Sequence, residues 1–93
     1  MALTFEWDPD EARANPAKHG VGFLEATTVF GDPLSLTIPD PGYPEGEQRL
    51  VSMGMSDRRH LLVVAHTEWG ERIRIISARR ATRRERRAYE QEA

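Results

Sequence analysis

Apolar and polar residues alternate with a period of two in several short stretches, the signature of strands with one buried face. Leu3-Thr4-Phe5-Glu6-Trp7 turns Leu3, Phe5 and Trp7 inward, and Leu34-Ser35-Leu36-Thr37-Ile38 repeats the pattern. Arg49 to Met55 reads as a third strand with Arg49, Val51, Met53 and Met55 on one side, after which Ser56-Asp57-Arg58-Arg59 makes a turn. His60 to Thr67 and Arg72 to Ala78 are the strongest strand signals, joined by a turn at Gly70. The helical signals lie elsewhere. Asp8-Pro9-Asp10-Glu11 combines a capping aspartate, a proline suited to the first helical position and a glutamate at capping-box spacing. That helix is expected to reach His19, with Gly20 as its stop, but Pro16 predicts a kink or an early end at Asn15. Phe23, Ala26, Thr27 and Phe30 share a face at helical spacing, so a second helix is expected over Phe23 to Phe30. Thr82 and Glu85 form a capping box that opens a third helix, expected to end near Glu90. Pro39 to Glu47 is rich in Pro and Gly and reads as a loop, the most mobile segment.

The predicted order is β-α-α-β-β-β-β-α. Consecutive hairpin-linked strands imply an α+β domain, an antiparallel sheet with the helices packed on one face. At 93 residues a single domain spanning 1–93 accounts for the chain. Its 39% apolar and 30% charged residues suit a small folded core. The absence of cysteine excludes disulfides, Cys-ligated zinc and a thiol nucleophile. The longest apolar run, Leu61 to Ala65, is far short of the roughly 20 residues of a membrane span. With no basic leader or apolar signal core at the N-terminus, the sequence reads as cytoplasmic.

Charge changes the picture. Residues 1–47 carry a net −7 and residues 48–93 a net +5. Eight arginines fall between Arg72 and Arg87 against one acid, Glu85, and arginine outnumbers lysine twelve to one. A GC-rich coding sequence explains an arginine bias, but not this clustering, which suits a polyanion or an acidic partner. The hairpin register then decides what the arginines surround. A three-residue loop, Glu68-Trp69-Gly70, pairs His66 with Arg72, Ala65 with Ile73 and Val63 with Ile75. Leu61, Val63, Ala65, Ile73 and Ile75 then form the buried face, and His66, Arg72 and Arg74 gather on the open one.

This constellation suits phosphodiester chemistry, which needs a base for the 2′-hydroxyl proton and cations around the charged phosphorane. His66 is the first candidate for that base and Glu68 the second, while Arg72, Arg74, Arg79 and Arg80 can grip phosphates. The bland alternatives are a structural histidine and a solvated arginine face. Trp69 can stack on a base or cap the sheet edge. Arg83, Arg84, Arg86 and Arg87 crowd the positive end of the last helix, an arrangement easier to tolerate if an anion answers it. His60 and His66 lie about 20 Å apart along one strand, too far to share an ion, so neither a metal nor a cofactor is expected.

The stretches FEWDPDEARANPAKHGVGFLEATTVFGDP and HTEWGERIRIISARRATRRERRAYE resemble the BrnT toxins of bacterial type II toxin–antitoxin systems. The resemblance covers nearly the whole chain, and Pro16 is its main departure. It implies a RelE-like fold and a metal-independent endoribonuclease that inhibits translation, on free or ribosome-bound RNA. It further implies a hetero-oligomer with a BrnA-like ribbon-helix-helix antitoxin, through which alone operator DNA is bound. On this resemblance His66, Glu68, Arg72 and Arg79 become the catalytic candidates, with Arg74, Arg80, Arg83 and Trp69 binding RNA. A non-catalytic antitoxin-binding or co-repressor module and a stand-alone RNA-binding domain are the alternatives.

Overall fold

A computed structural model describes residues 2–43 and 48–92, Glu92 by its backbone alone. Part of the Pro39–Glu47 loop, residues 44–47, thus lies outside the described residues. Strand β1 (Thr4–Trp7) leads into α1 (Pro9–His19), α2 (Phe23–Thr27) and a 3₁₀ turn at Thr28–Gly31. Strands β2 (Leu36–Pro39), β3 (Arg49–Met55), β4 (Leu61–Trp69) and β5 (Arg72–Arg80) follow, and α3 (Arg83–Glu92) closes the chain. The α+β class and the element order are as the sequence predicts. No helix among the described residues is long and apolar enough to cross a membrane.

The sheet runs β1-β5-β4-β3-β2, with β2 to β5 antiparallel. It is mixed rather than purely antiparallel, because β1 lies parallel to β5 from Thr4 beside Arg72 to Trp7 beside Ile75. The two helices between these strands supply the crossover that a parallel pair requires. One sheet face carries Leu62, Val64, Ile73, Ile75 and Ala78, packed with Val21, Phe23, Ala26 and Val29 into the main core. The second face is a groove over Leu36, Ile38, Val51, Met53 and Val63, bordered by Glu85 and Ala88 of α3. The helices therefore do not all share one face: α3 begins over the groove. Its Tyr89 hydroxyl then donates to Asp32 Oδ2 at 2.6 Å, beyond the end of β3.

Two local expectations change for identifiable reasons. Helix α1 does not stop at Asn15 but continues through Pro16 to His19. Its last turn is held from both sides. Gly20, left-handed at φ +70°, returns its N–H to the Pro16 carbonyl, while the Asn15 side chain is anchored in the core. The Phe23–Phe30 helix tightens to 3₁₀ after Thr27 because it packs closely against β3. A β-carbon on Gly54 would fall 2.9 Å from Val29 Cγ1, so only glycine admits that approach.

The β4–β5 register differs from the expected one. The turn is the two-residue Gly70-Glu71, with Gly70 at φ +63°, and Trp69 pairs with Arg72. Thr67 pairs with Arg74 and His66 with Ile75, and an irregularity at Ala65/His66 leaves Ile76 as the extra residue before Ala65 meets Ser77. This pairing is three residues from the predicted one, and an odd shift turns His66 to the opposite face. The premise of one buried face fails because Leu61 to His66 are all buried. The groove face of β4 is covered as well as the helix face.

Candidate nucleic-acid interface and active site

His66 is fully buried on the helix face. Its Nε2 lies 2.7 Å from Ser52 Oγ, which in turn meets Thr37 Oγ1 at 2.7 Å. The Phe30 ring packs edge-on, with centroids 4.9 Å apart. Nδ1 has no hydrogen-bond partner, and the nearest carboxylate oxygen, Glu68 Oε1, stands 3.8 Å away. Burial disfavours the imidazolium and pushes the His66 pKa down to about 4. The expected open-face cluster of His66 with Arg72 and Arg74 is therefore not formed.

The predicted phosphate-gripping arginines divide into two groups. Arg72 and Arg74 are exposed on the groove side but straddle Glu6, at 3.4 Å and 3.3 Å from its two oxygens. Arg79 forks onto both oxygens of Glu85, at 2.8 Å and 2.9 Å. Arg49, which also faces the groove, pairs with Asp40 at 3.0 Å and lies over the Tyr43 ring. By contrast, among the described side chains no carboxylate lies within ion-pair distance of Arg58, Arg59, Arg80, Arg83, Arg84, Arg86 or Arg87. The uncompensated positive charge thus gathers where the β3–β4 turn, the end of β5 and the start of α3 meet. Trp69 stands far from that end, 80% exposed at the hairpin tip.

Glu85 holds two joints at once. Its carboxylate accepts from the Thr82 backbone N–H at 2.8 Å, and the Thr82 hydroxyl accepts from the Glu85 N–H at 3.1 Å, completing the expected capping box. Hydrogen bonding from Arg79 outweighs partial burial and, with the Thr82 N–H, brings the Glu85 pKa down to about 2. Since the pair is partly solvated, Glu85→Ala is expected to cost about 1–2 kcal/mol, measured by chemical denaturation near pH 7. The stabilisation is complete above the ordinary glutamate range and fades as pH falls toward 2. An unchanged midpoint would show that the cap and the ion pair add nothing.

At the positive end sits a constellation the sequence did not announce. Glu25 of α2 accepts at Oε2 from the Ser56 hydroxyl at 2.7 Å and faces His60 Nδ1 at 2.8 Å. Arg80 Nη2 stands 3.3 Å from His60 Nε2. With Arg80 donating to Nε2 and Glu25 accepting from Nδ1, the neutral ring carries its proton on Nδ1. Burial pushes the Glu25 carboxyl up, but hydrogen bonds from Ser56 and His60 outweigh it and leave the pKa below the ordinary value. The turn that delivers His60 is well determined. Ser56 N–H donates to the His60 carbonyl at 2.8 Å, Arg59 adopts φ +63°, and Asp57 N–H donates to Thr28 Oγ1 at 2.9 Å. Arg-Arg-His at a predicted turn was the available signal for His60. Glu25 is 35 residues distant and had none.

The structure is thus a small α+β domain with one arginine-rich end and a carboxylate-held histidine there. A family model described as ribonuclease toxin, BrnT, of type II toxin-antitoxin system matches residues 7–85. The chain belongs to that BrnT family, and as a type II toxin it has an antitoxin partner. The 1.1 Å crystal structure of the Brucella abortus ribonuclease toxin BrnT matches with a TM-score of 0.68 and 21% identity, covering 88% of this chain and 100% of that one. At that identity the match shows a common fold. No curated protein matches the sequence.

Proposed function

We propose that this toxin is an endoribonuclease that cleaves RNA without a metal ion, by attack of a 2′-hydroxyl on the adjacent phosphate, and thereby inhibits translation. A BrnA-type ribbon-helix-helix antitoxin neutralises it by laying an acidic segment over the basic end. The observation that carries this reading is the group of arginines without carboxylate partners around Arg80. An arginine already paired must give up its carboxylate to take a phosphate; an unpaired one need not. Arg80 and Arg83 thus keep the RNA-binding role expected of them, while Arg72, Arg74 and Arg79 shape the sheet face through Glu6 and Glu85. His66 supports the core rather than meeting the substrate, and Glu68 is exposed near the hairpin tip, away from the basic end.

Counterion release supplies the test. For single-stranded RNA each phosphate contact adds about 0.7 to the slope of log affinity against log salt concentration. Arg80→Ala with Arg83→Ala is expected to lower that slope by about 1.4 and to slow cleavage. Arg72→Ala with Arg74→Ala is expected to lower it by less than half as much. Equal slopes in folded variants would refute the placement. The burial of His66 favours one other reading, a binding module without cleavage. That reading predicts a purified toxin that leaves RNA intact yet still holds its antitoxin.

A further inference from the structure

We infer that His60 is the acid–base catalytic residue of this chain, held by Glu25 as a positioning residue and paired with Arg80 as the phosphate clamp. The inference rests on the ribonuclease reading above and extends it to the reacting atoms.

The geometry supplies the three parts the reaction needs. Its base must be a neutral imidazole with a lone pair directed outward. The Glu25 carboxylate fixes the ring and tautomer through Nδ1, leaving the Nε2 lone pair on the side of Arg80. The ring must also reach solvent: the His60 side chain is 31% exposed, whereas Glu25 behind it is 11% exposed. A cation must stand beside the base, where the phosphorane charge develops, and the Arg80 guanidinium does so at 3.3 Å. Each part comes from a different segment, α2, the β3–β4 turn and the end of β5, so the site exists only in the folded chain. Among the described residues His60 is the histidine that combines a carboxylate behind it, an arginine before it and access to solvent. The groups facing it are Glu25 and Ser56 on the inner side and Arg80 on the outer, with Arg58 in its own turn acting on Glu25.

In the step itself, Arg80 leaves Nε2 for a phosphate oxygen. His60 Nε2 takes the 2′-hydroxyl proton, and the 2′-oxygen forms a bond to phosphorus. The bond from phosphorus to the 5′-oxygen breaks, and that oxygen takes a proton from solvent. The products are a 2′,3′-cyclic phosphate and a 5′-hydroxyl, and His60 later releases its proton to water.

The test uses the full-length toxin freed from its antitoxin, with a labelled RNA oligonucleotide followed under single-turnover conditions. Acid–base help of this kind contributes about 10²–10⁴-fold. His60→Ala is expected to slow cleavage by a factor in that range while the Kd for RNA changes less than about threefold, and added imidazole should restore part of the rate. His60→Gln, which keeps a polar side chain in the turn, is expected to be equally slow. Thermal melts identify the folded variants. Glu25→Gln is expected to lower the rate constant without raising KM, and to have no further effect when His60 is already alanine. Near-wild-type cleavage by either folded His60 variant overturns the assignment and leaves the ribonuclease reading intact. Equal loss of binding and cleavage also overturns it, by making His60 a contact rather than a base. A wild-type chain that cleaves no RNA overturns both.

Discussion

Replacing Asn15 with alanine is expected to cost about 3 kcal/mol, a large share of the 5–15 kcal/mol typical of a domain. Asn15 is 5% exposed, and its amide nitrogen donates to the carbonyls of Val21 at 2.7 Å and Ala78 at 2.8 Å. Its oxygen accepts from the Ala78 N–H at 3.2 Å. Strand β1 covers β5 only from Arg72 to Ile75, so the outer edge of β5 at Ala78 has no neighbouring strand. The asparagine takes the place of that strand for one residue. Alanine would leave buried backbone groups unpaired, each costing about 1–3 kcal/mol. Asn15→Asp sharpens the test, because it keeps the acceptor but turns a carboxylate oxygen toward two carbonyls. It should be at least as destabilising as alanine at pH 7 and recover partly in acid, where the protonated carboxyl can donate once more. Urea denaturation of both variants measures this. A loss under 1 kcal/mol for alanine would mean that water replaces the amide without penalty.

Asn15 also illustrates what the sequence conveys. The capping aspartate, the proline at the first helical position and Gly20 are local signals, and they place both ends of α1 correctly. The partner of Asn15 lies 63 residues away, beside a strand edge that exists only after β1 pairs in parallel with β5. Pro16 therefore looks like a stop in the sequence and is not one in the fold.

The same division runs through the site. The arginine cluster, the capping box at Thr82 and Glu85 and the strands that carry them are local patterns, and all were legible. Partner choice was not. Whether an arginine is available to phosphate depends on carboxylates such as Glu6, which reaches Arg72 and Arg74 only through the parallel pairing. The β4–β5 register turns on where the hairpin bends, at Gly70-Glu71 rather than at Glu68-Trp69-Gly70. Alternation fixes a register when one face of a strand is wet, but β4 is buried on both faces from Leu61 to Ala65. A periodicity of two then says nothing about which face meets the helices, and the histidine judged open proved to be the sealed one.

That sealed histidine sets how the toxin responds to acid. In the unfolded chain a histidine takes its proton near pH 6.5, whereas His66 in the fold stays neutral down to about pH 4, because burial disfavours its charge. Between these values the unfolded state binds more protons, so stability falls as pH falls. The shift corresponds to about 3 kcal/mol in full, of which about 2 kcal/mol is lost by pH 5. Glu68, 3.8 Å from Nδ1, makes no hydrogen bond to the neutral ring, and burial remains the cause that sets the direction of the shift. The carboxylates with lowered values, Glu25, Asp32 and Glu85, give up stability only in more acidic solution. Denaturation at pH 7 and pH 5 therefore isolates the histidine. In His66→Gln an uncharged amide can still meet the Ser52 hydroxyl, and the difference between the two pH values should shrink by about 2 kcal/mol. An unchanged difference in a folded His66→Gln variant would show that the acid response comes from other groups and that His66 protonates without loss of the fold.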